Sequence, residues 1–290
     1  MKVNWIKTNE IFRQIINEPE NKAALYIEKI VTPWQMMMQM FSQGSDDPLA
    51  GARAWHWILP DQLDKVPALL DELEAADAWE IGADAMEKAV QAFEPYDLPI
   101  DEFEGWLMIA NPQTSDAVAQ GYTGAVDWMN PRFVVQYDTL TPRNLKALPG
   151  AIVHEMNHLV RLRVFPWDIM KTSVADYIIH EGLAESFAAQ LFGEDVIGYY
   201  VTDIDETQLE TAKNLIRQNL DTTGFNEIRA YIFGDHFAYM HGVSVGMPTY
   251  GGYAIGYRVV QAYLQRMGKT AAEATFIPAQ EIIEQSGYFE

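Results

Sequence analysis

The stretch Pro149–Leu162, PGAIVHEMNHLVRL, carries an HExxH motif whose two histidines are four residues apart. Its apolar residues recur at helical spacing and predict a buried helix: Ile152, Val153, Met156, Leu159 and Val160. Residues four apart share one face of a helix, so His154 and His158 can bind one zinc ion through ring nitrogens at about 2.0–2.1 Å. Glu155, turned by about 100° from His154, is the predicted general base for metal-activated water. A pair of surface histidines is the alternative, and the apolar flanking residues argue against it.

A third metal ligand is expected from the sequence HEGLAE, residues 180–185. A catalytic zinc usually takes three protein ligands and keeps one position open. Glu181 and Glu185 are again four residues apart, so we expect Glu181 to bind the metal and Glu185 to accept the free N–H of a ligating histidine. His180 is a rival third ligand. Gly182 inside a helix costs about 1 kcal/mol relative to alanine, which indicates close approach of another backbone or side chain.

The order of the predicted elements indicates an α+β fold, mostly helical with a small mixed sheet. The helix that carries HExxH is expected to pack against the helix that carries the glutamates. Ser173 is a predicted N-cap for that second helix, which runs to about Phe192 and ends at Gly193. Pro149-Gly150 is expected to restart the HExxH helix. Other helices are predicted at 8–41, 61–76, 79–93, 206–220, 253–266 and 278–285, and strands at 106–109, 125–128 and 133–137.

Composition limits the function classes that the chain fits. Its 290 residues fit one large or two modest domains, and we predict an acidic helical region at 1–104 and a catalytic domain at 105–290. The chain has 20 Lys and Arg but 41 Asp and Glu, so its net charge is −21. This negative charge disfavours binding to nucleic acid or to anionic membranes. The absence of cysteine excludes disulfides, thiol nucleophiles and cysteine-based metal sites. No apolar run approaches the roughly 20 residues of a membrane span and no signal peptide is evident, so we expect a cytoplasmic protein.

Three segments carry a resemblance to a known family: HEMNHLVRL (154–162), HEGLAESFA (180–188) and GGYAIGYRVVQAYL (251–264). The chain resembles zincin metallopeptidases whose third ligand is a glutamate (gluzincins), and more closely the bacterial YjaZ-like family of predicted zinc-dependent proteases. The likeness covers roughly residue 105 to the C-terminus. It implies a zincin-like fold and one zinc ion on His154, His158 and Glu181, with Glu155 as general base and Glu185 in a supporting role. It also implies an edge strand that pairs with substrate, for which 133–137 is the candidate.

The sequence leaves open which residue donates a hydrogen bond to the oxyanion, the negative oxygen that forms when water attacks a peptide carbonyl. Gluzincins often use a tyrosine or histidine downstream of the ligands for this purpose. Tyr253 and Tyr257 are four residues apart on the predicted tail helix, and we slightly favour Tyr257; His236 and His241 also remain candidates. For each tyrosine, a core position with a satisfied hydroxyl is an equal alternative.

The sequence therefore predicts a zinc-dependent hydrolase that acts on peptide or protein substrates. The alternative is a catalytically silent, metal-stabilised peptide-binding or regulatory protein. The presence of Glu155 separates the two, because a pure binding module has no chemical need for a carboxylate beside the water. Metal analysis combined with a peptide-cleavage assay, with and without chelator, discriminates between them.

Overall fold

The computed structural model describes residues 1–98, 100–114 and 116–290. The strands are β1 Lys2–Ile6, β2 Glu102–Ile109, β3 Tyr122–Val126 and β4 Arg132–Tyr137. The α-helices are α1 Thr8–Asn17, α2 Lys22–Tyr26, α3 Gln35–Phe41, α4 Ala50–Ala54, α5 Val66–Ala75, α6 Ala78–Phe93, α7 Pro142–Val164, α8 Val174–Phe192, α9 Tyr199–Thr202, α10 Glu206–Gln218, α11 Phe225–Phe233, α12 Ala238–His241, α13 Gly251–Met267, α14 Ala271–Ala274 and α15 Ala279–Ser286. A π-helical turn covers Ile27–Val31, and 3₁₀ turns cover Thr32–Trp34, Pro60–Lys65, Ala117–Ala119, Glu194–Val196 and Asp235–Phe237. The predicted α+β class, mostly helical with a small mixed sheet, is confirmed.

The sheet has the strand order β1-β2-β4-β3. β1, β2 and β4 are parallel, and β3 runs antiparallel to β4. The prediction that 133–137 forms an edge strand is wrong, because β4 pairs with β2 on one side and with β3 on the other. Phe133, Val134 and Val135 are fully buried, as expected of a strand that is covered on both faces. β4 therefore has no free backbone groups for an added peptide strand.

The chain divides into two compact units: Met1–Glu87 with Ile100–Leu148, and Lys88–Pro99 with Pro149–Glu290. The first unit contains the sheet and an edge-to-face cluster of Trp34, Trp57 and Trp106. The predicted boundary between residues 104 and 105 lies inside β2, and β1 pairs with β2 in parallel register. The assignment of separate functions to 1–104 and 105–290 stays a prediction.

α7 continues through Pro149 without a break, so the predicted restart at Pro149-Gly150 is wrong. A proline inside a helix removes one N–H donor and crowds the carbonyl four residues earlier, yet the helix extends on both sides of Pro149. Gly150 is required by space, since a Cβ there would lie 2.6 Å from the carbonyl oxygen of Val196. The HExxH residues therefore belong to one long helix.

α8 begins and ends where the sequence predicts. Ser173 and Asp176 form a reciprocal capping box at its start, and Gly193 follows its last turn with φ of 86°. Gly182 meets Gly256 of α13, where a Cβ on Gly182 would lie 2.2 Å from the Gly256 carbonyl oxygen. The expected close approach at Gly182 is confirmed.

The core of the second unit forms where α8 and α13 pack together with α10, α11 and α15. Its fully buried residues include Ile178, Leu183, Ile255, Val259 and Ile282. Among the residues described, no helix is both long enough and apolar enough to cross a membrane.

Candidate metal centre

Three buried side chains of the second unit converge at one point. His154 and His158 extend from one face of α7, and Glu181 extends from α8. Oε2 of Glu181 lies 3.3 Å from Nε2 of His154 and 3.2 Å from Nε2 of His158. The three potential ligand atoms all lie within 4.8 Å of one another. The four-residue spacing therefore places His154 and His158 on one face of α7, as helical geometry predicts.

The arrangement fits a metal ion on two independent grounds. Ligands at about 2.0–2.1 Å from one ion at tetrahedral angles are about 3.3–3.4 Å apart, close to the observed separations. Oε2 of Glu181 is also buried and has no hydrogen-bond partner among the residues that the structure describes, although burying such an atom is costly. A bound cation would satisfy it. Two imidazoles and one carboxylate are a common donor set for catalytic zinc.

Glu185 supports His154 from the side opposite Glu181. Its Oε1 accepts a hydrogen bond from Nδ1 of His154 at 2.7 Å, and its Oε2 accepts one from the backbone N–H of Gly198 at 3.0 Å. With Nδ1 engaged as a donor, Nε2 of His154 is the ring nitrogen left to face Glu181. The hydroxyl of Tyr200 also donates to Oε1 of Glu185, at 2.5 Å.

His158 is held differently from His154. Its ring stacks on His180, with centroids 3.9 Å apart and planes inclined by 6°, and its Nδ1 has no partner within the described part of the chain. The group of converging ligands contains Glu181 and not His180. Burial, and then the neighbouring His158, lower the pKa of His180 well below its ordinary value. His180 is therefore a packing partner for the ring of His158.

The acidic side chains give this buried cluster a negative character. Burial, opposed by His154 and reinforced by Glu181 and Glu185, raises the pKa of Glu155 to about 8. Burial also raises the pKa of Glu181, but His158 and His154 outweigh it and hold that pKa far below its usual range. For His154, burial lowers the pKa, but the close carboxylates of Glu181 and Glu185 reverse the effect, so the net shift is upward. A divalent cation would offset this excess of negative charge.

A family model described as "Predicted Zn-dependent protease (DUF2268)" matches residues 78–284. The chain belongs to this family. The uncharacterized protein YjfC of Bacillus subtilis (strain 168) is 30% identical over 286 residues, which cover 98% of this chain and 92% of YjfC. The uncharacterized protein YjaZ of the same organism is 26% identical over 140 residues, or 48% of this chain and 50% of YjaZ. No solved structure matches the chain significantly.

The two predicted tyrosines of α13 have different surroundings in this member of the predicted Zn-dependent protease family. Tyr253 packs its ring 4.8 Å from that of Tyr200. Burial, and then the charge of Glu181, raise the pKa of Tyr253 well above its ordinary value. The hydroxyl of Tyr257 instead donates to Glu194 at 2.9 Å. Tyr253 thus adjoins the side chains that support the ligands, whereas Tyr257 is committed elsewhere.

The two downstream histidines lie apart from the ligand group. His241 is 3% exposed, and its Nδ1 accepts a long hydrogen bond of 3.4 Å from the N–H of Val243. Burial lowers its pKa, with Arg229 and Asp235 among its charged neighbours. His236 packs against Phe237, with ring centroids 4.9 Å apart. Neither histidine belongs to the group that could hold a metal.

Sequence reasoning missed Tyr200 and Gly198, which both contact Glu185 from the segment after α8. The Gly-Tyr-Tyr sequence at 198–200 gave a weak signal of a tight approach. Its meaning depends on where that segment folds back, which local patterns do not encode.

Proposed function

We propose that the protein is a zinc-dependent metallopeptidase of the zincin type, with a glutamate as third ligand. In this proposal His154, His158 and Glu181 hold one zinc ion, and Glu155 is the general base. One observation carries it: Nε2 of His154 and Nε2 of His158 both lie within 3.3 Å of Oε2 of Glu181. That buried oxygen has no hydrogen-bond partner among the described residues. Glu155 follows the first of these histidines on the same helix. The family's description as a predicted zinc-dependent protease supports the same reading.

The chain's own residues supply the proton chemistry. When bound, zinc provides Lewis-acid polarisation of a peptide carbonyl and makes water more acidic. Glu155 takes the proton from the attacking water and delivers it to the amide nitrogen as the C–N bond breaks. With its pKa raised to about 8, the carboxyl of Glu155 is mostly protonated at neutral pH. A bound cation would favour the ionised form of Glu155, which is the form that accepts a proton.

Glu185 and Tyr253 have supporting roles in this proposal. Glu185 holds His154 in the tautomer whose Nε2 is free to bind metal. Tyr253 is better supported than Tyr257 as a donor to the oxyanion, because the hydroxyl of Tyr257 is bound to Glu194. Peptides or unfolded protein segments are the substrate class that such a site would hydrolyse.

The test combines metal content with cleavage. We expect about one zinc per chain, and cleavage of an unstructured protein such as casein that EDTA abolishes and added zinc restores. The variant Glu155→Gln should keep its zinc and lose nearly all turnover, because the amide cannot accept the proton. Cleavage that persists in Glu155→Gln would refute the role of Glu155. Stoichiometric zinc without cleavage of any peptide would instead favour a silent peptide-binding protein.

A further inference from the structure

Tyr200 lies at the start of the short helix α9, in the segment that follows α8. Its hydroxyl donates to Oε1 of Glu185 at 2.5 Å and lies 3.4 Å from Nδ1 of His154. Oε1 of Glu185 thus receives two donors, one from Tyr200 and one from His154. With the N–H of Gly198 on Oε2, both oxygens of this carboxylate are engaged.

The hydrogen bonds to both oxygens of Glu185 are important because its side chain is buried, with only 2% exposed. A buried carboxylate is costly unless hydrogen bonds compensate for the lost water, and charged hydrogen bonds are the strongest available. Of the three donors named above, two come from the segment after α8 and one is the ring of His154 on α7. Tyr200 and Gly198 therefore determine the plane of the carboxylate. That plane in turn determines the direction in which the ring of His154 is held.

The ring of Tyr200 is itself fixed by packing. A Cβ on Gly198 would lie 2.3 Å from Cζ of Tyr200, so the ring folds back over a position that only glycine leaves open. Gly198 has φ of −62°, which any residue can adopt; its requirement is therefore one of space. The ring also packs against Tyr253 and Tyr199, with centroids 4.8 and 5.1 Å away. These contacts remain when the hydroxyl alone is removed.

We propose that Tyr200 is a positioning residue for the metal centre, which locks Glu185 and through it orients His154 toward the cation. The proposal rests on the proposed function only in so far as His154 binds zinc. A merely structural role predicts that loss of the hydroxyl changes stability and leaves the metal site unaltered. A positioning role predicts weaker metal binding and an altered ligand geometry in a folded protein. Loss of such a supporting hydrogen bond lowers metal affinity by about tenfold.

The first experiment compares the full-length wild type with Tyr200→Phe. Zinc affinity is measured by competition with a chromophoric chelator, and Co²⁺ replaces zinc to report ligand geometry through its visible absorption. We expect zinc affinity about tenfold lower and a changed Co²⁺ spectrum in Tyr200→Phe. The matched control is Tyr263→Phe, which removes a buried hydroxyl of α13 that has no partner among the described residues. It should leave both readouts unchanged.

A double-mutant cycle with Glu185→Ala tests whether the effect passes through Glu185. In the Glu185→Ala background, Tyr200→Phe should change zinc affinity by less than about twofold, because the hydroxyl has lost its acceptor. Full additivity would overturn the proposal. If Tyr200→Phe fails to fold, Gly198→Ala tests the same segment, since its methyl group displaces the ring of Tyr200, and zinc affinity equal to that of the wild type would then overturn the proposal.

The outcomes separate this inference from the proposed function. A wild type that binds no divalent metal would overturn both. A wild type that binds zinc, together with Tyr200→Phe that matches it in affinity and Co²⁺ spectrum, would overturn the role of Tyr200 alone. Reduced affinity and an altered spectrum in Tyr200→Phe, both absent in Tyr263→Phe, would support it.

Discussion

Gly182 of α8 and Gly256 of α13 lie directly against each other's helix. A Cβ on Gly182 would be 2.2 Å from the carbonyl oxygen of Gly256, and a Cβ on Gly256 would be 2.0 Å from that of Ile178. Because the atoms met are backbone atoms, side-chain rotation cannot relieve the overlap. This crossing sets the separation of the two helices next to Glu181. The position of the proposed third ligand therefore depends on glycine, which has no Cβ, at both 182 and 256.

We therefore expect Gly182→Ala to destabilise the protein. Alanine gains about 1 kcal/mol in helix propensity, but overpacking against a fixed backbone costs about 3 kcal/mol, which leaves a net loss of about 2 kcal/mol. Urea unfolding followed by circular dichroism measures it. Thr207→Ala, an exposed position on α10, is the control and should stay within about 0.5 kcal/mol of the wild type. A Gly182→Ala protein as stable as the wild type would contradict the close crossing.

Variants of the proposed ligand Glu181 and of the supporting residue Glu185 should differ in how much zinc raises their melting temperatures. Ligand that binds only the folded state stabilises it by about 4 kcal/mol at 1,000 times its Kd. We expect zinc to raise the melting temperature of the wild type and to leave Glu181→Ala unchanged, because a ligand is lost. Glu185→Ala should keep part of the shift, since loss of the hydrogen bond to His154 weakens binding by about 10- to 100-fold. The reverse order would exchange the roles of the two glutamates.

Much of the ligand arrangement could be predicted because it is local. The spacing of His154 and His158 fixes their shared helical face, and the spacing of Glu181 and Glu185 fixes theirs. The N-cap predicted at Ser173 and the close approach predicted at Gly182 rest on equally local signals, and both were confirmed. None of these inferences requires knowing which elements are neighbours in space.

The errors arose where tertiary neighbours decide the outcome. The pairing of β4 on both sides depends on strand order, although the fully buried run of Phe133, Val134 and Val135 is typical of an interior strand. The preference for Tyr257 over Tyr253 stays a prediction, but spacing alone does not reveal that Glu194 accepts the hydroxyl of Tyr257. Tyr200 reaches Glu185 only because the chain reverses after α8, and no local periodicity encodes that path.

Tyr26 offers a test of burial in the first unit that is independent of the metal centre. Its side chain is fully buried, and its hydroxyl has no partner within the residues described. Burial raises its pKa far above the ordinary value of 10.0. In the unfolded chain the hydroxyl ionises near that ordinary value, while the folded protein keeps it neutral. Its contribution to stability is therefore complete below about pH 10 and is lost as pH rises through and beyond that value.

The variant Tyr26→Phe removes this ionisation and retains the ring. We expect it to match or slightly exceed the stability of the wild type at about pH 8, because the lost hydroxyl was unsatisfied, and to lose less stability between about pH 8 and about pH 11. Urea midpoints at the two pH values measure the difference. Tyr137→Phe is the contrasting control: its hydroxyl donates to the carbonyl oxygen of Asn144 at 2.7 Å, so its removal should cost about 1 kcal/mol already at the lower pH. If Tyr26→Phe were destabilised as much as Tyr137→Phe at about pH 8, the hydroxyl of Tyr26 would have a partner, and its isolation in the core would be disproved.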